Sequence, residues 1–210
     1  IKMNITMISM SDHPISVMYK RRVISSWSNY KVKHFEAVTP KDLYLRHELK
    51  FGMRRNREFT ETEKAVWYSH YDLWVQCYIS KQPLLIIEHD SELVKPLPDM
   101  SKEGYKVLAY MVRDYNPSKG KKLASPGAGY YITPNFASRL IVGAVTKPVT
   151  LNSDGFIART MNWDAQMKKD EHYYVEQVNL DGLNTIDHNN PYRNFIGQDY
   201  EAIDISGIHG

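Results

Sequence analysis

Two groups of residues in this chain have the types and spacing to do chemistry. The first is Glu88-His89-Asp90, which follows the apolar run Leu84-Leu85-Ile86-Ile87. Four aliphatic residues in a row predict a short strand covered on both faces, as in a parallel sheet. Ligands of open α/β sheets bind outside the carboxyl ends of such strands. A carboxylate, an imidazole and a carboxylate at that place point to a divalent-metal site. Successive side chains of an extended segment face opposite ways, so Glu88 and His89 cannot both face one ion. Asp90 is the preferred ligand. His188, beside Asp187, is a candidate further ligand or phosphate contact, or else half of a surface Asp-His pair. The second group is cationic. Arg46, Lys50, Arg54, Arg55 and Arg57 crowd a polar stretch, and Lys119, Lys121 and Lys122 sit between prolines and glycines. Each cluster is either a solvated surface or a phosphate-facing patch, for a sugar nucleotide or a nucleic acid.

The elements that must position these groups are legible from periodicity. Thr60 and Glu63 form a capping box, so a helix starts at Glu61. Val66, His70, Leu73 and Cys77 recur at helical spacing, with Trp67, Tyr71, Trp74 and Tyr78 one position along. Two adjacent apolar rows predict a helix that is mostly buried. Lys81-Gln82-Pro83 ends it. Ile5 to Met10 reads as a first strand; Ser11 to Pro14 turns the chain into a helix bearing Val17, Val23 and Lys20-Arg21-Arg22. Val32 to Val38 alternates and reads as a second strand. Residues 41–58 read as a loop with a short helical piece. Tyr105 to Val112, Tyr130 to Thr133 and His172 to Val178 read as strands, and Asn135 to Val142 as a helix. Residues 116–129 read as a flexible loop, and residues 184–210 hold little regular structure. The alternation predicts an α/β domain with a central, mostly parallel sheet flanked by helices. The loops after the first two strands lie side by side there and hold a nucleotide, which nominates Ser9, Met10, Ala37, Val38 and Thr39.

Composition bounds the class. The 210 residues suffice for one domain, 1–210. A net charge of +3 means that any polyanion contact must come from local clustering. No run of about 18 apolar residues predicts a transmembrane helix, and IKMNITMISM reads as a strand rather than a signal peptide. A single cysteine, Cys77, excludes an internal disulfide and fits a cytoplasmic setting.

The block from residue 60 to residue 90 resembles glycosyltransferase family 25, the lipopolysaccharide- and collagen-type sugar transferases. Its elements are Ser69-His70, Leu73-Trp74, the strand Leu84 to Ile87, and Glu88-His89-Asp90. Two positions depart from the family pattern: Ala65 stands for a Gly, and His89 for the middle Asp of an acidic triplet. The resemblance implies a GT-A-like single nucleotide-binding domain, with residues 1–112 as the nucleotide-sugar half and 113–210 as the acceptor half. It further implies a uridine-type nucleotide sugar as donor and Mn²⁺ or Mg²⁺ as cofactor. Arg21 matches an arginine of the family's first helix, and Glu88 falls on the donor side; His70 reads as a hydrogen-bonded core histidine that, with Ser69, buttresses the donor site from the helix. Asp154, in Pro148 to Phe156, matches the family's aspartate and is the expected base of an inverting transfer; the residues alone would make it a turn aspartate. The basic clusters favour, as acceptor, a 5-hydroxymethylcytosine in viral DNA, placing the enzyme in a host cytoplasm. The alternatives are a glycan or lipopolysaccharide hydroxyl, and a non-catalytic nucleotide-sugar or glycan-binding module.

Overall fold

The computed structural model describes residues 3–54, 56–100, 103–108, 110–111, 123–124, 128–160 and 174–178. Strand β1 (Asn4–Ser9) leads into helix α1 (Pro14–Val23), a 3-10 turn (Ile24–Trp27) and β2 (Val32–Glu36). A second 3-10 segment, Pro40–Leu45, precedes α2 (Glu61–Ser80), which feeds β3 (Leu84–Glu88). Then come β4 (Ser91–Leu93), β5 (Tyr105–Val107), β6 (Tyr110–Met111), β7 (Leu123–Ala124), β8 (Gly129–Ile132), α3 (Pro134–Thr146), α4 (Ser153–Thr160) and β9 (Val175–Gln177).

The main sheet runs β2-β1-β3-β8-β5. β1 pairs in parallel with both β2 and β3, and β8 is antiparallel to β3 and β5. The sheet is therefore mixed, with β8 running against the other four strands. β4 pairs with β9, and β6 with β7, in two-stranded ribbons.

The pleat sorts the core into two layers. Leu84 and Ile86 of β3 join Trp67, Leu73 and Trp74 of α2, together with Tyr130 and Ile132 of β8. Leu85 and Ile87 face the other way, toward Val23, Trp27 and Tyr131. Glu88 continues the row of Leu84 and Ile86, so it comes out facing α2. α2 begins where the capping box requires: Thr60 accepts from the Glu63 N–H, and the Glu63 carboxylate accepts from the Thr60 N–H. It closes at Lys81, in the left-handed region at φ 55°. Its middle is buried nearly all round, from Ala65 through Trp74. Val66 is only half-buried, and Tyr78, in the last turn of the helix, is exposed.

Two expectations need correction. β3 is covered on both faces but parallel on one edge only, because an apolar run reports burial and not the direction of a neighbour. Tyr105 to Val112 is not one strand. It breaks at Leu108, whose N–H goes to the Gly129 carbonyl while its own carbonyl accepts from Tyr174 and Val175. The ladder is thereby handed on to β9, and β6 leaves the sheet. Residues 184–210 and most of 116–129 lie outside the described residues.

Candidate active site

The chain order places a switch point between β1 and β3. From β1 the chain steps outward to β2, then crosses back to β3 on the other side of β1. Crevices at such points, at the carboxyl ends of the strands, are where this sheet type takes ligands. Ser9, Glu36 and Glu88 end the three strands there: Ser9 registers with Glu36, and Ile8 with Glu88.

On the α2 side the crevice is acidic. The Glu88 carboxyl is 17% exposed and lies 3.4 Å from His70 Nε2. Burial first, then the charges of Asp90 and Asp154, push Glu88 well above the usual carboxylate range. The structure thus brings Asp90 and Asp154, from two distant stretches of chain, into electrostatic range of Glu88. Asp90 is buried, and its Oδ2 accepts from the Gln177 amide of β9 at 2.9 Å. Asp154 is half-buried in the first turn of α4 rather than in an isolated turn. A carboxylate is favoured at a helix N-terminus. The approach to α4 is pinned by the Trp67 indole N–H, which donates to the Leu151 carbonyl at 2.8 Å. Asn152 Oδ1 accepts from the Gly155 N–H, and a Cβ at Gly155 would meet that oxygen at 2.8 Å, so a larger residue one position after Asp154 would displace the Asn152 side chain.

His70 is fully buried, and burial lowers it to about 4. It reaches the crevice through Glu88. Ser69 supports the β2 loop from the same helix: its Oγ accepts from the Val38 N–H at 2.9 Å and donates to the Ala65 carbonyl. His89 faces the other way, packing its ring 5.6 Å from that of Tyr19 on α1. Burial lowers its pKa against the pull of Asp90; His13 at the start of α1 is lowered by burial and by His89, against Asp12.

On the α1 side a cavity of ≈ 310 Å³ opens among Met10, Ser11, Val17, Lys20, Arg21 and Ile24. Met10 and Arg21 were nominated from sequence and line it; Ser9 is buried beneath. Ser9 Oγ and Lys20 Nζ donate to His34 Nδ1 at 2.7 and 3.3 Å, so His34 carries its proton on Nε2 and donates it to Glu36 at 2.7 Å. Glu36 also accepts from the Ser11 N–H at 2.8 Å. Burial raises the Glu36 pKa, but these two donors overcome it and the net shift is downward. The alternation of β2 puts His34 and Glu36 on one face and was readable. Their partner Ser9 lies 25 residues away and was not. Thr39 caps the next 3-10 segment with Asp42, which accepts from its N–H and its hydroxyl. Ala37 donates to the Ser9 carbonyl, so the ends of β1 and β2 stay joined.

The basic cluster is largely neutralised. Glu63 accepts from both Arg54 and Arg57, and Asp72 with Glu48 takes Arg46. Lys50 is exposed, and its carbonyl accepts from Val149, tying this stretch to the segment that leads into Asp154. Arg55, Lys119, Lys121, Lys122 and His188 lie outside the described residues. Among the described residues, no three His, Cys, Asp or Glu side chains form a preassembled metal cage, and no helix is long and apolar enough to cross a membrane.

A mixed five-stranded α/β sheet flanked by helices, with a switch point between β1 and β3, places the chain in the class of open-sheet α/β proteins that take ligands at strand ends. Residues 4–116, more than half of the chain, match the model of glycosyltransferase family 25 (LPS biosynthesis protein). The chain belongs to glycosyltransferase family 25. It is a glycosyltransferase, and membership carries with it a nucleotide-sugar substrate. Among solved structures, the chain is similar to one titled a crystal structure of a glycosyltransferase involved in the glycosylation of the major capsid of PBCV-1. Identity is 12%, the TM-score 0.36, and the match covers 69% of each chain. No curated protein sequence matches this chain.

Proposed function

We propose that this enzyme transfers a sugar from a UDP-type donor to a hydroxyl of a glycan by a single inverting displacement, on a GT-A-like domain. The observation that carries the reading is the convergence of Glu88, Asp90 and Asp154 at the switch-point edge. The cavity of Met10, Lys20 and Arg21 supports it as the donor side: apolar Met10, Val17 and Ile24 suit a base, and the two cations suit phosphates.

The donor set fits a shared ion. The proton affinity of Glu88, raised by burial and by the charges of Asp90 and Asp154, would be relieved by a cation. Mg²⁺ and similar ions are commonly held by one or two carboxylates plus substrate phosphates rather than by an all-protein cage. Asp90 is the residue that would hold it, held in place by Gln177. When bound, such an ion neutralises the leaving diphosphate. Lys20 and Arg21 orient the diphosphate. Asp154 takes the acceptor proton as the acceptor oxygen bonds to the anomeric carbon, while the electrons of the breaking C–O bond leave with the diphosphate.

The glycan acceptor replaces hydroxymethylated DNA as the favoured reading. The family model is described by lipopolysaccharide biosynthesis. Arg46, Arg54 and Arg57 are paired with carboxylates, which removes much of the charge that argued for duplex binding. The test is nucleotide release from a panel of nucleotide sugars with Mn²⁺ or Mg²⁺, run with lipopolysaccharide core oligosaccharides and with hydroxymethylcytosine duplex. Release stimulated by oligosaccharide supports the proposal. Stimulation by duplex alone overturns the acceptor, and no release from any donor overturns the donor.

A further inference from the structure

The crevice carboxyl Glu88 stands at the end of a buried polar chain whose direction can be deduced. The Trp74 indole can only donate, and its N–H points at Tyr130 Oη at 2.8 Å. Tyr130 is fully buried, so its own hydroxyl proton needs an acceptor. Among the described residues the acceptor within reach is His70 Nδ1, at 2.9 Å. An Nδ1 that accepts leaves the neutral ring's proton on Nε2. That N–H faces Glu88 Oε1 at 3.4 Å. The chain runs one way: Trp74 to Tyr130, Tyr130 to His70, His70 to Glu88.

This arrangement spans three elements, α2, β8 and β3. Tyr130 on β8 registers with Ile86 of β3, and Glu88 lies two residues on, on the same face. Trp74 and His70 are one turn apart on α2, so both reach the same hydroxyl. A buried ring held by hydrophobic packing alone would need no such directed partners.

We propose that Tyr130, held by Trp74, is a positioning residue: it fixes His70 as the Nε2–H tautomer and so orients the Glu88 carboxyl beside Asp90 and Asp154 for transfer. The inference rests on the reading of this crevice as the transfer site. The 3.4 Å separation is longer than a normal hydrogen bond, as catalytic contacts in ligand-free enzymes often are.

Two measurements on the full chain test it independently. The first reads the His70 ring nitrogens by ¹⁵N NMR, assigned with His70→Gln. Wild type is expected as Nε2–H, and Tyr130→Phe, which removes only the hydroxyl, as a mixture of tautomers. A wild-type ring protonated at Nδ1 overturns the proposal whatever the enzyme's substrate. The second reads nucleotide release. Tyr130→Phe is expected to lower kcat by roughly 10–100-fold, the usual effect of losing a partner that orients a site residue, with donor KM nearly unchanged. His70→Gln, whose amide can still donate toward Glu88, is expected to keep more kcat than His70→Leu. Unchanged kcat in Tyr130→Phe, or equal losses in Gln and Leu, overturns the proposal and leaves the glycosyltransfer reading intact. A wild type that releases nucleotide from no donor sinks that reading instead, and the tautomer measurement still decides this one.

Discussion

Three carboxyl groups share the crevice, and their surroundings give them different work. Glu88 and Asp154 are both half-buried, but the proton affinity of Glu88 is raised by desolvation and by its two neighbouring carboxylates, whereas Asp154 sits at a helix start, where an anion is favoured. On the proposed reading, that difference assigns the base to Asp154. Asp154→Asn is expected to lower kcat roughly 10²–10⁴-fold, the ordinary contribution of a general base, while calorimetric donor affinity stays near wild type. Equal losses in both would make Asp154 a binding residue. Asp90 is buried and aimed by Gln177, so its loss should act through the ion and not through the fold. Asp90→Ala is expected to abolish transfer with an unaltered circular dichroism spectrum, and a chelator should reproduce the loss in wild type. Turnover indifferent to chelator would remove the metal from the mechanism.

At the level of elements, α2 carries the most. One helix supplies the cap, the core tryptophans, the Ser69 support for the β2 loop and the His70 contact to Glu88. Its start depends on a reciprocal pair of side-chain to backbone bonds. Thr60→Ala removes the acceptor for the Glu63 N–H and is expected to cost about 1 kcal/mol. The readout is a lower midpoint in a urea titration with an unchanged slope. kcat well below the new melting temperature should be unaffected, because the cap lies about three helical turns from His70. A fall in kcat without a fall in stability would mean that the cap positions the site directly.

For the molecule as a whole, acid is the informative perturbation. His70 has a folded pKa of about 4 against 6.5 for the free side chain, because burial disfavours its charged form. Between those values the unfolded chain binds a proton that the native state refuses, so stability falls as pH drops from 6.5 toward 4. His13 and His89, both lowered by burial, act in the same sense. Glu63 follows at lower pH. Burial would raise it, but Arg57, the Thr60 N–H and Arg54 prevail and hold it at about 2 against 4.5. Its contribution is complete above 4.5 and lost as pH falls toward 2. Urea midpoints measured from pH 7 to pH 2 should therefore fall in two stages. Glu63→Gln should flatten the lower stage and His70→Gln the upper. A profile whose upper stage is unchanged in His70→Gln would mean that His70 is not buried in its neutral form.

Local signals settled the elements, and contacts distant in sequence settled the site. The capping box Thr60–Glu63, the helical rows of α2, the Pro83 stop and the apolar run of β3 are each specified within a few residues, and each element stands where those residues put it. The opposite facing of Glu88 and His89 follows from the period of a strand, and was legible for that reason. Strand direction was not, because an apolar run is equally buried beside a parallel or an antiparallel neighbour; β8 came in reversed. Nor could sequence show that Arg54 and Arg57 both pair with Glu63, since pairing depends on where the loop folds back onto α2. Asp154 reaches Glu88 across 66 residues of chain, and His34 reaches Ser9 across 25. The proton on His70 is decided by Tyr130 on β8 and Trp74 on α2 together. Hydrogen bonds and electrostatic fields act through space, so the residues could be nominated from the chain, but their partners, tautomers and proton affinities exist only once the sheet has brought them together.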